Sequence, residues 1–532
     1  MTSNSSAADR LCVAAVLLLG TLLIVAASSL PAFPVDETRY LTVAWEMRVT
    51  GDWSLPTLNF EPYSHKPPLL FWLINASWSL FGLAVWPARL IGAAAMGVVL
   101  ILTHRLEMRL ASERRSGPAL SALMLLGLPL FLVLGFSIMF DMLLTATVSG
   151  AMLALWIAGQ TGERKAFLAY GVSIGLGLLA KGPVVLLFTV PATLLAPLWI
   201  APDQRRAWLL HVSATLGLGV LMALAWALRA ASIGGPEYAE MLLWKQSAGR
   251  ITSSFAHARP FWFYLPVLLL FFLPLLIWRP TWVGLRRSLE VRAPQRNFLL
   301  SWILPGLLGL SLISGKQIHY LLPLLPPIAL LASLGLQHII LRNADRTGWI
   351  VLAAGLLFAL IGFATISSHD VASNSTLLSI AAGLDVTRLL LMGALAIGAI
   401  ALFRGTPQRM LAGLAAANFI FLGGLALEAR SGIASLFDLQ PLADVVHGFR
   451  DKPIAVAQRT RGELGFLARL QQPVIFVPEA ELSKWLSKYP DGVAIIRSPA
   501  AQSGEEPVAG RVLYRKEYRL TDVISVVSAP LQ

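Results

Sequence analysis

The sequence predicts an all-α polytopic membrane protein with a small α/β domain at its C-terminal end. Of its 532 residues, 56% are apolar and only 13% are charged, and the mean hydropathy is +0.69. These values exclude an ordinary soluble globule. Near residue 430 the long apolar runs give way to a mixed, polar composition. We therefore predict a transmembrane domain over residues 1–429 and an α/β domain over residues 430–532.

Long apolar runs predict about thirteen transmembrane helices. The first run, residues 11–35, contains no charged side chain and no small-residue cleavage site. We expect it to remain as a membrane span, because a signal peptide would be shorter and cleavable. The predicted spans centre near residues 20, 95, 129, 152, 173, 193, 217, 269, 306, 330, 358, 396 and 418.

The charges of the intervening loops predict the orientation in the cytoplasmic membrane. One alternating set of loops carries 18 Lys and Arg residues against seven acids, whereas the opposite short loops carry little beyond Lys181, Lys316 and Arg388. The positive-inside rule makes the basic set cytoplasmic, together with the N-terminus. Two long loops, 31–88 and 229–260, then lie outside with the C-terminal domain, and we expect these two loops to form the active site. The net charge of +13 is explained by this orientation, without nucleic acid as a partner.

Residues 67–83 form one further uncharged run. A span there would reverse every later loop and move the basic clusters outside. We therefore interpret the run as an outward-facing juxtamembrane helix, with Trp72 and Trp78 near the lipid headgroups. Arg89 would then snorkel from the outer end of the second span.

The C-terminal region alternates short β-type runs with helical stretches such as residues 479–488. This alternation is typical of a small α/β domain. The β-type runs are residues 454–457, 473–477, 493–497, 512–514 and 523–527.

Polar side chains at membrane level fall almost entirely on the predicted outer side. Basic groups can bind a phosphate, and a carboxylate can orient or deprotonate an attacking hydroxyl. Together these types indicate a reaction on a phosphate-linked substrate. The candidates are Asp36, Glu37, Arg39, Tyr40, Glu61, Tyr63, His65, Lys66, Asp141, Lys181, Arg250, His257, Arg259, Lys316, Gln317, His319 and Tyr320.

Purely structural interpretations remain open for these residues. Asp36 and Glu37 can simply end a span in water, and Lys181 can belong to a plain hairpin between spans. His65 and His257 lie far apart in sequence, so they are weak evidence for a metal site.

Seven short motifs occur in order between residues 10 and 340. They are Asp36-Glu37-Thr38-Arg39-Tyr40, Gly51-Asp52-Trp53, Pro62-Tyr63-Ser64-His65-Lys66-Pro67-Pro68, Phe140-Asp141, Lys181-Gly182, His257-Ala258-Arg259-Pro260-Phe261-Trp262, and Gly315-Lys316 with Tyr320. In residue type and spacing they resemble the lipid A aminoarabinose transferase family, which is related to the protein O-mannosyltransferases.

This resemblance implies an inverting glycosyltransferase of the GT-C type. Such an enzyme moves a sugar from a polyprenyl phosphate to an acceptor outside the cytoplasmic membrane. The resemblance makes Asp36 the catalytic carboxylate, and it leaves the contact of Glu37 open. With the polar residues above, the expected substrate-binding set is Glu37, Arg39, Tyr40, Lys66, Asp141, Lys181, Arg250, Arg259, Lys316 and Tyr320.

One position departs from the family pattern. The family usually has an acid before the lysine of the first outer loop, and this acid binds a metal together with the later histidine. Here that position is His65. Either His65 and His257 bind zinc through their imidazoles, or the metal is absent. Cys12 is the only cysteine, which excludes a Cys-based metal site.

The resemblance also implies the partners of the chain. They are a polyprenyl-phosphate-linked sugar donor, membrane lipids, and an acceptor that is lipid A, another envelope glycan or a protein. We expect a monomer. Two other functions remain open: a protein O-glycosyltransferase of the mannosyltransferase type, and a flippase for lipid-linked sugars, which would need polar residues at mid-membrane depth.

Overall fold

The computed structural model of the chain describes residues 7–111, 119–242, 259–290, 292–336, 386–402, 406–431, 433–458, 462–499, 511–518 and 522–529. Helices dominate these residues, and a five-stranded sheet lies near the C-terminal end. One large hydrophobic core includes residues of the long helices, of the short helices at the start of the chain and of the sheet.

The first hundred residues combine two long helices with two short ones. Helix α3 has 13 residues, or about 20 Å at 1.5 Å per residue. That is too short for a hydrocarbon core of about 30 Å, in agreement with the prediction that residues 67–83 are not a span. The elements are α1 (Ala7–Ser28), α2 (Asp36–Thr50), β1 (Thr57–Leu58), β2 (Glu61–Pro62), α3 (Leu69–Phe81) and α4 (Val85–Leu110).

The central helices differ in how far they are enclosed. The most apolar part of α7 is 72% buried, whereas that of α10 is 17% buried, so α10 lies at the periphery. Helix α10 extends into the predicted loop 229–260 and is broken at Gly235 (φ 81°), before Pro236. The elements are α5 (Leu120–Leu126), α6 (Pro129–Gly135), α7 (Phe140–Thr161), α8 (Arg164–Lys181), α9 (Val184–Leu194), the 3-10 helices Ala196–Leu198 and Pro202–Gln204, and α10 (Arg205–Glu240).

Further helices follow up to residue 431. They are the 3-10 helix Phe261–Phe263, α11 (Tyr264–Ile277), α12 (Arg279–Arg287), the 3-10 helix Ser288–Glu290, α13 (Ala293–Leu312), the 3-10 helix Ile318–Leu324, α14 (Leu325–Leu336), α15 (Val386–Leu402) and α16 (Pro407–Ser431).

Five helical segments in the described part of the chain are long and apolar enough to cross a membrane. They are Val85–Leu110, Phe140–Thr161, Ala207–Glu240, Ile318–Leu336 and Pro407–Arg430. The run near residue 129 is broken into α5 and α6, with seven residues each, because Pro129 cannot continue a helix from the preceding turn. The predicted span near residue 358 lies outside the described residues, and the total of about thirteen spans stays a prediction.

Each of the five β-type runs near the C-terminus overlaps a strand. The strand order is β4-β3-β5-β7-β6, with β3 parallel to β4 and β5 and the other pairs antiparallel. Val456 and Ile495 belong to the large core, whereas Ala455 and Ile496 pack with Leu486 in a second, smaller core. The elements are α17 (Ile433–Phe437), α18 (Gln440–His447), β3 (Ile454–Val456), β4 (Ile475–Phe476), the 3-10 helix Glu479–Glu481, α19 (Leu482–Lys488), β5 (Val493–Pro499), β6 (Arg511–Tyr518) and β7 (Asp522–Ser528).

Candidate active site

The first turn of α2 presents an accessible carboxylate beside a guanidinium. Asp36 is the first residue of the helix, where the partial positive charge of the helix N-terminus favours an acid. Arg39 lies one turn later and donates a hydrogen bond to the Asp36 carboxylate. The Asp36 side chain is 48% exposed and that of Arg39 is 22% exposed. Asp36 can therefore meet a substrate while Arg39 limits its rotation.

Tyr40 continues this turn into the interior. Its ring is buried and stands edge-on to Phe140 at 4.9 Å between centroids. Burial raises the pKa of the Tyr40 phenol, and the Asp36 charge adds to that shift. Burial alone would lower the pKa of Arg39, but Tyr63, Tyr40 and Asp36 outweigh it and raise that pKa. At neutral pH, Tyr40 is therefore an uncharged phenol and Arg39 is a cation.

A second carboxylate begins α7. Asp141 is buried, forms an ion pair with Lys181 at the end of α8, and has an oxygen 3.7 Å from Nε2 of His319. The Lys181 amine also lies 4.4 Å from the centroid of the Tyr320 ring. The fold thereby joins three of the sequence motifs in one cluster of charge.

Lys66 and Phe140 connect the two carboxylates. The Lys66 amine lies 5.5 Å from the centroid of the Phe140 ring. The same ring forms the T-shaped contact with Tyr40. The charges of Asp141, Lys181, Lys66 and Asp36 all act on His319. Both clusters therefore belong to one site, which contains the two carboxylates and the cations Arg39, Lys66 and Lys181. His319 belongs to this site; its position on the outer side was the only sequence signal for it.

Glu37 has a different environment from its neighbour Asp36. Its carboxylate is buried and accepts a hydrogen bond from Arg89 at 2.7 Å, from the Phe33 amide at 2.9 Å and from the Ile138 amide at 3.0 Å. These contacts favour a bracing role over contact with substrate, because the oxygens already have partners from three segments. Glu37 thereby connects the start of α2, which carries Asp36, to the residues just before α7, which carries Asp141.

The prediction that Arg89 snorkels toward the headgroups is wrong. Arg89 is only 3% exposed. Besides Glu37, its guanidinium donates to the carbonyls of Ala27 at 2.9 Å, Leu30 at 2.5 Å and Pro31 at 2.6 Å. The Leu30 and Pro31 carbonyls lie just past the end of α1, where no further helical turn supplies a donor, and the Ala27 carbonyl also accepts from the Leu30 amide at 3.2 Å. Together these oxygens stabilise a buried guanidinium.

The Lys316 side chain binds two backbone carbonyls. Its amine donates to the carbonyls of Ile313 at 2.5 Å and of Arg259 at 3.0 Å, and the side chain is buried. This geometry favours an anchoring role over the phosphate contact expected for Lys316. The Arg259 guanidinium lies 5.8 Å from the centroid of the Phe263 ring. Arg250 lies outside the described residues.

Only one of the two predicted metal ligands lies within the described residues. His65 is exposed and stacks on Tyr63 at 5.2 Å between ring centroids, whereas His257 lies outside the described residues. Within the described ranges, no group of three or more His, Cys, Asp or Glu side chains is placed to hold a metal. Zinc sites use three or four protein ligands, so the described residues do not fit one, and we assign no step to a metal.

Comparison with known proteins agrees with this architecture. A family model described as dolichyl-phosphate-mannose-protein mannosyltransferase matches residues 65–228. The chain is 31% identical over 345 residues to the undecaprenyl phosphate-alpha-4-amino-4-deoxy-L-arabinose arabinosyl transferase of Aeromonas hydrophila, covering 62% of this chain and 61% of that one. It is 32% identical over 309 residues to a transferase of the same description from Sodalis glossinidius, covering 56% of this chain and 53% of that one.

The similarity thus spans between about half and three fifths of the length of these curated relatives. Crystal structures of ArnT from Cupriavidus metallidurans, in the apo state and bound to undecaprenyl phosphate, superpose with a TM-score of 0.78 over 99% of this chain and 100% of that one, at 20% identity. The chain is therefore similar in sequence to the undecaprenyl phosphate aminoarabinose arabinosyl transferases, as the motifs predict, and it has the fold of ArnT.

Proposed function

We propose that this chain is an inverting glycosyltransferase that moves a sugar from undecaprenyl phosphate, or a similar polyprenyl phosphate, to lipid A or another envelope acceptor. The observation that carries the proposal is an accessible carboxylate, Asp36, in one site with Arg39, Lys66 and Lys181. The names of the relatives favour aminoarabinose as the sugar. We place the reaction at the outer face of the cytoplasmic membrane, with the N-terminus cytoplasmic and the C-terminal domain outside, in a monomer.

The cations act on the leaving group. The bond between the anomeric carbon and the phosphate oxygen breaks, and its electron pair stays with the phosphate. Lys66 and Lys181 stabilise the negative charge that develops there, which is most effective in a site shielded from water. Asp141 holds Lys181 in place for this purpose, and Tyr320 covers its amine.

Asp36 acts on the acceptor. The acceptor oxygen attacks the anomeric carbon from the face opposite the phosphate, which inverts its configuration. A hydroxyl acceptor loses its proton to Asp36 during the attack, because its pKa is far above that of a carboxylate. A phosphate acceptor needs no base, and Asp36 then orients it together with Arg39.

The test is transfer by the purified full chain with undecaprenyl phosphate-linked aminoarabinose and lipid A, read by mass spectrometry. We expect product with the wild-type protein and at least a hundredfold slower transfer with Asp36→Asn. Glu237→Gln is the matched control, because Glu237 is an exposed acid of the other predicted outer loop and is not among the candidate site residues. Full transfer by Asp36→Asn would exclude the catalytic role.

The same preparation separates the other functions. A flippase would move the labelled donor across a vesicle membrane and form no glycosylated product. Transfer to a protein acceptor with lipid A left unchanged would favour a protein O-glycosyltransferase, which agrees with the description of the matching family model.

A further inference from the structure

Helix α2, which carries Asp36, Arg39 and Tyr40, is held by a segment more than 400 residues away. We call residues 462–474 the clasp segment. The Thr42 hydroxyl donates to the Gly462 carbonyl at 2.7 Å and accepts from the Phe466 amide at 2.9 Å. Thr42 is 1% exposed, so these two buried bonds fix the helix against the clasp segment two residues after Tyr40.

The next turn of α2 is held in the same way. The Trp45 indole nitrogen donates to the Leu470 carbonyl at 2.7 Å. Phe466 stacks on Trp78 of α3 at 4.6 Å between centroids, with a 4° angle between the planes. The guanidinium carbon, Cζ, of Arg469 lies 3.8 Å from the centroid of the Phe466 ring. The clasp segment therefore packs on α2 and α3 together.

Two glycines permit this close approach. A β-carbon on Gly465 would lie 2.4 Å from the γ-methyl of Thr42. Gly462 has φ of +84°, and a β-carbon there would lie 2.5 Å from Leu58. The fit of the clasp segment on α2 thus depends on the absence of side chains at both positions.

The far end of the clasp segment is tied to α2 through the hairpin β1–β2. Glu46 of α2 accepts hydrogen bonds from the Asn59 and Phe60 amides at 2.7 and 2.8 Å. The Asn59 side chain then exchanges two hydrogen bonds with the backbone of Val474, at 2.8 and 3.1 Å. Contacts therefore run along most of the length of α2.

Helix α2 needs such support. It has 15 residues, and isolated helices of about 12–15 residues are marginal in water. An error of about 1 Å in the placement of reacting groups can slow an enzyme roughly a hundredfold. A segment that fixes α2 within two turns of the catalytic carboxylate can therefore limit the rate without touching the substrate.

We propose that the clasp segment positions the first turn of α2 for reaction, with Thr42 as the positioning residue that receives it. This inference rests on the proposed function for its catalytic meaning, and on the contacts alone for its structural meaning. It gives the C-terminal domain a role in the chemistry of the transmembrane site.

The first test is independent of activity. We measure hydrogen exchange of the full chain in detergent and follow peptides covering residues 36–50. Thr42→Val removes both buried hydrogen bonds at nearly constant volume, and we expect exchange there to speed about tenfold. Thr189→Val is the matched control, because the Thr189 hydroxyl is buried and donates to Val185 of its own helix at 3.0 Å. Unchanged exchange in Thr42→Val would overturn the proposal even if the chain transfers a different sugar.

The second test is the rate of transfer. Thr42→Val should lower kcat about tenfold or more with KM for the donor nearly unchanged, and Thr42→Ser should restore kcat. Gly465→Ala should lower kcat in the same way, because the new alanine methyl group clashes with the γ-methyl of Thr42. The double variant Gly465→Ala/Thr42→Ser lacks that γ-methyl and should regain kcat. Wild-type kcat in both Thr42→Val and Gly465→Ala would overturn the proposal. A kcat of Thr42→Ser as low as that of Thr42→Val would overturn it too.

Discussion

Asp36 and Asp141 both lie in the first turn of a helix, but their surroundings differ. The Asp36 carboxylate is about half exposed and has one guanidinium beside it, whereas the Asp141 carboxylate is 4% exposed, forms an ion pair with Lys181 and lies near His319. Burial without partners is costly for a carboxylate, so an enclosed one is stable only among cations. The contrast assigns contact with the acceptor to Asp36 and the ordering of cations to Asp141.

The largest expected effect separates the two acids by kinetics. Asp36→Asn should lower kcat by roughly a hundred- to ten-thousandfold while the free energy of unfolding changes by no more than about 0.5 kcal/mol. Asp141→Asn should lower kcat less and should also raise KM for the donor, because Lys181, which we assign to the donor phosphate, loses the partner that fixes it. Steady-state kinetics and thermal unfolding on the same preparations test this, and the reverse assignment of the two effects would break the comparison.

The adjacent acids Asp36 and Glu37 give the next largest effect. Glu37→Gln leaves the buried Arg89 guanidinium without its counter-charge and should destabilise the protein by about 3–5 kcal/mol. Asp36→Asn, the same chemical change one residue earlier, is the control. Equal melting temperatures for the two variants would contradict the bracing role of Glu37.

A double-mutant cycle measures the Asp141–Lys181 pair. Lys181→Met alone should destabilise by about 2–3 kcal/mol, since a buried carboxylate loses a charged hydrogen-bond donor. Adding Asp141→Asn should recover part of that loss. Additive changes in the free energy of unfolding would show that the two side chains are not coupled.

The smallest effect concerns Glu46, a buried acid at the far end of α2. Burial raises the pKa of Glu46 and outweighs the hydrogen bonds from Phe60, Thr57 and Asn59, which lower it. The folded state therefore holds a proton more tightly than the unfolded chain, so this group makes stability fall as pH rises from about 4.5 through the folded pKa. The melting temperature of Glu46→Gln should fall less than that of the wild-type protein over this pH range. An unchanged dependence of melting temperature on pH would exclude Glu46 as the cause of the fall.

The sequence predicted the parts of the site that depend on local pattern. Asp36 and Arg39 are three residues apart, so any helix there brings them onto one face. The distribution of Lys and Arg between alternate loops likewise predicted that residues 67–83 form a helix that does not span the membrane. These features need only helical geometry and the order of charges along the chain.

Other features depend on contacts between distant residues. Asp141 and Lys181 are separate motifs in the sequence, and their ion pair exists because α7 and α8 pack side by side. Arg89 was misread because its partners are mainly carbonyls at the end of α1, which no side-chain pattern reveals. Thr42 gave no signal, since a threonine in a helix is common and its partners are contributed by residues 462 and 466.

The Asn59–Val474 pairing has a consequence for biosynthesis. Asn59 and Val474 are 415 positions apart, so the ribosome completes the hairpin long before its partner strand exists. Helix α2 therefore lacks its contacts with the clasp segment until synthesis has passed residue 474, and a chain interrupted before residue 462 would never form them.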